Sequence, residues 1–253
     1  MNSILLAFLS VACVFGGTLF GFWTQGLLPR HHLSKDSHEI IKLGAGMIAT
    51  LTALVLGLLV SSAKSTFDTI STGIKQSGAK LILLDRLLAQ YGPEAKPLRE
   101  HLQRNLAAKI EQLWPRQKTG VKDLGAFERS TELELVQAAL RDLVPKTDAQ
   151  TQLLAQARQL AADLSGARWL MIEESQNQIP VPFLVILLFW LTVLFASFGL
   201  FAPRNGTVIA VLFVCACSVS AAIFLILEMN RPIQGIIKVS NAPFLKALEH
   251  MGR

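Results

Sequence analysis

The chain has 253 residues, of which 51% are hydrophobic, and it carries a formal net charge of +6 at pH 7. A mean hydropathy of +0.44 excludes an ordinary water-soluble protein, because soluble domains of this length are less apolar. The basic excess does not predict nucleic-acid binding, since Lys and Arg form no basic stripe and do not cluster with aromatic residues. The excess flanks the apolar runs, which is typical of anchoring to the anionic headgroups of a lipid bilayer.

Four apolar runs without a charged residue predict four membrane-spanning helices. An α-helix needs about 20 residues to cross ~30 Å of hydrocarbon, and each run is long enough. The last two runs form a tight hairpin, in which Pro203 ends one helix, Asn205-Gly206 supplies the turn and Thr207 is the expected N-cap of the next. The four runs are Ser3 to Leu28, Leu43 to Ala63, Phe183 to Ala202 and Thr207 to Leu227.

The first run is interpreted as a retained helix from Ser3 to Trp23. No Lys or Arg precedes it and no small-residue cleavage site follows it, whereas a cleaved signal peptide has both. Gly17 and Gly21 are four residues apart, and this spacing predicts close contact with a neighbouring helix.

The loop after the first run carries His31, His32 and His38. A metal site here would need Cys ligands, a His-x3-His helix or nearby carboxylates, and only Asp36 and Glu39 are close in sequence. These histidines are therefore interpreted as solvated loop residues, and neither a metal nor a cofactor is predicted for the chain.

The second run is the most patterned, because a small side chain recurs at every fourth position. Two interpretations stay open. Such a ridge lets helices pack closely in lipid. Alternatively, the small and polar side chains face a water-filled path. The ridge is Ala45, Ala49, Ala53, Gly57 and Ser61, and the candidate pore or packing residues are Thr50, Ala53, Gly57, Ser61 and Ser62.

The middle of the chain predicts a helical bundle. No proline interrupts Leu43 to Tyr91, so the second helix is expected to continue past the membrane, and Pro93, Pro115 and Pro145 divide the rest of this region into shorter helices. The fold class is all-α, with the bundle inserted between the second and third spans. The predicted domains are residues 1–63, the first helix pair; 64–179, the bundle; 180–228, the second hairpin; and 229–253, the C-terminal tail.

Charge predicts the orientation. Both termini and the bundle share one side of a four-span protein, and Lys and Arg near the helix ends are more frequent on that side. The positive-inside bias therefore places the bundle and the tail in the cytoplasm of a bacterial inner-membrane protein.

The sequence does not predict an enzyme. The spans contain no His, Asp, Glu, Lys or Arg before Glu228, so they hold no nucleophile with a base, no carboxylate pair and no metal ligands. Glu228 and Arg231 are three residues apart at the end of the fourth helix. They are predicted either to form an interfacial ion pair or to place Arg231 at an anion site near the mouth of a path.

Several segments resemble the prokaryotic bestrophin-like membrane proteins. They read LVLGLLVSSAKSTFD, LLDRLLAQYGPEA, FWLTVLFASFGLFAPRNGTV and FLILEMNRPIQGIIKVSNAPFLKAL. The resemblance covers the chain from about Leu28 onward and implies a four-span inner-membrane protein. More distantly, it implies a link to true bestrophins, which are pentameric anion channels whose second helix lines the pore. Those channels narrow the pore with aromatic rings, whereas Leu43 to Ala63 contains no Phe, Tyr or Trp.

The sequence is compatible with two functions. The first is a homo-oligomeric, bestrophin-like channel for small anions, which needs only an uncharged helix of small residues and charged vestibules. The second is a non-conducting membrane scaffold or sensor, which presents the helical bundle to a partner.

Overall fold

A computed structural model of the chain describes residues 3–29, 35–115, 132–176, 179–233 and 235–251. All regular secondary structure in these ranges is helical, which confirms the predicted all-α class. A short 3-10 turn, Pro93–Ala95, links the second and third helices. The helices are α1 (Ser3–Leu27), α2 (Lys35–Tyr91), α3 (Lys96–Leu113), α4 (Glu132–Asp142), α5 (Asp148–Gln176), α6 (Val181–Phe201), α7 (Gly206–Met229) and α8 (Ala242–His250).

Four of these helices, α1, α2, α6 and α7, are long and apolar enough to cross a membrane. The predicted number of spans is thus confirmed by length and composition. The second helix runs without a break for 57 residues, as the absence of proline predicts. It ends before Gly92, whose φ of 129° lies in a region that only glycine adopts readily.

The chain divides into two compact units. The first, the span unit, contains Met1–Ser65 and Gln178–Asn230. The second, the bundle unit, contains Thr66–Asn177 and Arg231–Arg253. Helix α2 contributes its first part to the span unit and its last part to the bundle unit.

In the span unit, α1 and α6 pack backbone to backbone. A Cβ atom added at Gly17 would lie 2.6 Å from the carbonyl oxygen of Thr192, and one added at Gly21 would collide with the carbonyl of Ala196. Gly199 allows the same approach from the side of α6, where an added Cβ would meet the carbonyl of Thr18. The contact predicted from the Gly17 and Gly21 spacing is therefore present, and its partner is α6.

The hairpin between α6 and α7 is closed by polar groups at the ends of the helices. The Asn205 side chain, not Thr207, caps α7, because it accepts a hydrogen bond from the Val208 N–H at 2.8 Å. The predicted Thr207 cap is wrong because a Thr207 cap implies a helix that begins at Val208, whereas the helix begins two residues earlier, at Gly206, so the cap falls on Asn205. The Arg204 guanidinium donates to the Phe22 carbonyl and, at 3.0 Å, to the Gln25 amide oxygen, so it satisfies the end of α1.

The bundle unit has an apolar core of its own. Isoleucine and leucine side chains from the last part of α2 pack against α3, α4, α5 and α8. Fully buried members of this core are Ile70, Leu84 and Leu88 of α2 and Leu140 of α4. A bidentate ion pair joins α2 to α3, because Arg99 donates hydrogen bonds to both carboxylate oxygens of Asp85, at 2.8 and 2.9 Å. Residues 116–131, which belong to the stretch between Pro115 and Pro145 that was predicted to be helical, lie outside the described residues.

Candidate functional site

The membrane-spanning part of α2 packs less against its own chain than the other spans do. Only 11% of its most apolar stretch is buried, whereas the corresponding shares for α1, α6 and α7 are 28%, 28% and 22%. One face does pack on the core of the span unit, where Leu59 and Ala63 are buried and Ala45, Ile48, Ala49, Val55 and Leu56 are partly buried. The rest of the helix surface is exposed within a single chain.

The exposed surface of α2 has two chemically different halves. At about 100° per residue, Thr50, Gly57 and Ser61 lie within about 40° of one another, on the side opposite the buried Thr52. Gly46 and Ala53 lie next to them on one side, and together these five residues form what we term the small-residue strip. The large-residue strip lies beside it and consists of the exposed side chains Met47, Leu51, Leu54 and Leu58.

The structure brings together most, but not all, of the candidate residues of this helix. Thr50, Ala53, Gly57 and Ser61 are all exposed and lie on the small-residue strip. Ser62 is exposed too, but it lies about 100° around the helix from Ser61, next to the large-residue strip. Helical spacing gives the angle between Ser61 and Ser62, but it does not show which side of the helix is covered by the core of the span unit.

The ridge from Ala45 to Ser61 does not form a single contact surface within the chain. Residues four apart advance by about 40° around a helix, so the ridge winds from the packed face to the exposed face. Ala45 and Ala49 are partly buried, whereas Ala53, Gly57 and Ser61 are exposed. A Cβ atom added at Gly57 would meet nothing within 4 Å, so no helix of the same chain packs there.

The Thr50 hydroxyl of the strip needs no partner outside its helix. The Thr50 hydroxyl donates to the carbonyl of Gly46 at 3.0 Å, within its own helix turn. Lys64 is exposed and lies near the same angle as Gly57, two turns further along. The strip therefore ends in a cation at the last turn of α2 that belongs to the span unit.

The second pair of candidate residues lies where α7 ends. Glu228 is in the last turn of α7 and is 3% exposed, and Arg231 follows the helix end and is partly buried. The chain turns just after it, where the Gly235 N–H donates to the Arg231 carbonyl at 2.9 Å. The ion pair or anion site proposed for these two residues stays a prediction.

One histidine of the predicted solvated loop has a different setting. His38 lies in the first turns of α2, and its ring contacts the edge of Phe201 in α6 at 4.4 Å between centroids. It lines a cleft of about 530 Å³ between α2, α6 and α7, together with Lys42. The loop interpretation is wrong for His38, because α2 begins earlier than its apolar run; His31 and His32 lie outside the described residues.

These features define the class of the chain: an all-helical membrane protein with four spanning helices, one of which leaves a face of small residues uncovered. Residues 12–244 match the family described as the Bestrophin-like domain, and the chain belongs to this family. The predicted family is thereby confirmed.

Solved structures with the same fold come from a bacterial bestrophin homologue of Klebsiella pneumoniae. Three variants of that protein superpose with TM-scores of 0.69, 0.64 and 0.63, at 13%, 14% and 15% sequence identity. Each covers 99% of this chain, and this chain covers 97% or 98% of theirs. At such low identity the likeness is one of fold. No curated protein sequence matches the chain.

Proposed function

We propose that the chain is one subunit of a homo-oligomeric ion channel in the bacterial inner membrane, and that the small-residue strip of α2 lines its conduction path. The observation that carries this proposal is the strip itself. A spanning helix leaves small and hydroxyl-bearing side chains uncovered, while its opposite face is packed. Membership in the Bestrophin-like family supports a channel over other membrane functions.

The path is formed between subunits. One chain provides a single strip, so a closed lining needs several copies, and identical interfaces close most simply as a symmetric ring. The large-residue strip lies beside the small-residue strip, which gives each subunit an apolar surface for its neighbour. In this arrangement Thr50, Gly57 and Ser61 face the axis, and Met47 and Leu54 face the adjacent subunit.

The conducted ions are small anions. No Asp or Glu lies between Leu43 and Ala63, so a ring of copies carries no carboxylates that would attract cations along the strip. Lys64 adds one positive charge per subunit at the end of the strip, which raises the local concentration of anions. The bundle unit and this end of the strip face the cytoplasm, because the Lys and Arg bias favours that side.

The wall of this path differs from one built with aromatic rings. Threonine, alanine, glycine and serine side chains are small, and the segment contains no Phe, Tyr or Trp. A wide and partly polar wall does not favour gating by dewetting, which needs a narrow hydrophobic constriction. We therefore place the control of conduction outside the strip.

Purified protein in planar bilayers tests the proposal. Under a tenfold KCl gradient, wild-type protein should give currents whose reversal potential is displaced from zero towards the equilibrium potential of chloride. Lys64→Gln should shift that potential towards zero, whereas Lys146→Gln, a change in the bundle unit far along the chain from the strip, should not. Cation selectivity would contradict the anion assignment. Verified oligomers without any current would leave the scaffold or sensor function as the better account.

A further inference from the structure

The cleft that His38 and Lys42 line in the span unit extends along three spanning helices. It lies between the first turns of α2, the last turns of α6 and the first turns of α7. Below Lys42 its lining residues continue along α2 to Ala49, and along α6 they run from Phe201 back to Leu194. Seven residues of helix span about 10 Å, so the cleft reaches about 10 Å inwards from the ends of these spans.

The wall of the cleft is apolar over this depth. Ser197 carries the one hydroxyl among the described residues of the wall, and it donates to the Val193 carbonyl at 2.9 Å within its own helix. Leu194 is 5% exposed, whereas Phe198, one turn further along α6, is 46% exposed, so the cleft opens at the surface of the chain. Its volume of about 530 Å³ falls within the range of about 300–1,000 Å³ that is typical of small-molecule sites. The apolar side chains of the wall include Ala45, Ala49, Leu194, Phe198, Val208 and Leu212.

The mouth of the cleft carries a cation. Lys42 is exposed, and it directly precedes the charge-free run that begins at Leu43, so it lies where hydrocarbon meets the lipid headgroups. It is the only formally charged residue among the described side chains that line the cleft; Glu39, one turn earlier, is exposed but does not line it. A lysine at the end of a span keeps its carbon stem along the hydrocarbon and its ammonium at the level of the lipid phosphates.

We propose that this cleft binds an anionic phospholipid, with the phosphate beside Lys42 and one acyl chain between α2, α6 and α7. The ammonium complements the negative headgroup, and the apolar wall complements the chain at the depth where lipid chains begin. A free phosphate ion gains nothing from the apolar wall. A peptide segment would bring backbone groups that this wall leaves without hydrogen-bond partners. The site lies at the other end of the spanning part of α2 from Lys64, and it does not depend on whether the protein conducts ions.

Native mass spectrometry of the full-length protein in detergent tests the site with dioleoyl phosphatidylglycerol as the probe. Dioleoyl phosphatidylcholine is the matched lipid, because it has the same chains and phosphate but carries a choline cation that cancels the charge. A lysine near an anionic lipid surface strengthens binding about fivefold, so the anionic lipid should bind about fivefold more tightly. Lys42→Gln should remove this difference, whereas Lys42→Arg should keep it, since a guanidinium also binds phosphate. Equal binding of the two lipids to wild type, or an unchanged difference in Lys42→Gln, would overturn the proposal.

Added volume separates binding in the cleft from binding elsewhere on the apolar surface. Leu212→Trp fills the cleft and should lower the occupancy by both lipids. Val211→Trp adds the same side chain at an exposed position about 100° around α7 and should leave the occupancy unchanged. Equal effects of these two variants would place the lipid outside the cleft.

Two further measurements distinguish the phospholipid from other occupants. Glycerol phosphate, which has the anionic group but no acyl chain, should not displace the lipid; displacement at equal concentration would indicate a phosphate site instead. The oligomer should retain the anionic lipid as the dissociated subunit does. Binding to the dissociated subunit alone would show that a neighbouring subunit fills the cleft, and this result would also overturn the proposal.

Discussion

The ion pair between Asp85 and Arg99 gives the sharpest test of how α2 is held in the bundle unit. Asp85 is 2% exposed, and Arg99 donates to both of its oxygens. Removing one partner of a buried pair costs about 3–5 kcal/mol, because the other charge stays buried without compensation. The Arg99 side chain is 22% exposed and can reach water. We therefore expect the lower end of this range, about 3 kcal/mol, for Asp85→Ala.

Hydrogen–deuterium exchange of the full-length protein in detergent measures this effect locally. Since about 1.4 kcal/mol corresponds to a factor of ten, amides in the last turns of α2 and in α3 should exchange about 100-fold faster in Asp85→Ala. The matched control is Glu94→Ala. It breaks an ion pair of the same 2.8 Å length between exposed side chains of the same unit, Glu94 and Lys146. Exposed pairs contribute little, so its exchange should stay close to that of wild type.

The two variants must differ if burial sets the strength of these pairs. Similar acceleration in both, or no acceleration in Asp85→Ala, would refute the reasoning. The first outcome would mean that the variants loosen the unit in a general way. The second would mean that neighbouring groups replace the lost carboxylate. Asp85→Asn separates shape from charge, since it keeps the size of the side chain and one acceptor oxygen. Its amide exchange rates should lie between those of Asp85→Ala and wild type.

Three further outcomes are expected from the structure. Gly21→Ala should destabilise the protein in thermal unfolding, because its Cβ would collide with the backbone of α6, whereas Gly16→Ala, with nothing within 4 Å, should not; equal effects would contradict the α1–α6 contact. In competitive acetylation, Lys109 should titrate at lower pH than Lys146, since burial lowers the pKa of Lys109 and the hydrogen bond to Glu94 raises the pKa of Lys146; coincident curves would contradict this. In a background without native cysteines, Leu28→Cys should react with an impermeant maleimide in intact cells and Lys146→Cys only after lysis; the reverse would invert the orientation.

The sequence predicts the elements of this fold well because their signals are local. A charge-free run of about 20 residues requires no knowledge of its neighbours, and neither does the absence of proline between Leu43 and Tyr91. The pairing of Gly17 and Gly21 with another helix is also a local signal, although the identity of α6 as the partner is not. The predicted N-cap of α7 was wrong by two residues. Asn205 and Thr207 are both residue types that cap helices well, and only the start of the helix decides between them.

The sequence does not predict how the sites are assembled. A small residue at every fourth position of α2 does not show which side of the helix is exposed, because that depends on where the core of the span unit lies. The structure supplies this information and divides the candidate residues, with Ser61 on one strip and Ser62 beside the other.

Exposure of the small-residue strip does not by itself separate a conduction path from a packing interface. The Thr50 hydroxyl is satisfied within α2, so the strip could face water, lipid or another protein helix at little cost.

Added volume at Gly57 distinguishes a strip that lines a water-filled path from a strip that packs against another protein helix. In a packing interface, Gly57→Leu prevents close approach of the helices and the oligomer dissociates in native mass spectrometry. In a path, the oligomer persists and the current falls, because each subunit adds an isobutyl group to the wall. Leu58→Ala, on the large-residue strip, should do the opposite: it weakens assembly and leaves the current per intact oligomer unchanged. Dissociation of Gly57→Leu together with tolerance of Leu58→Ala would assign the strip to packing, and the path would have to be sought on another surface.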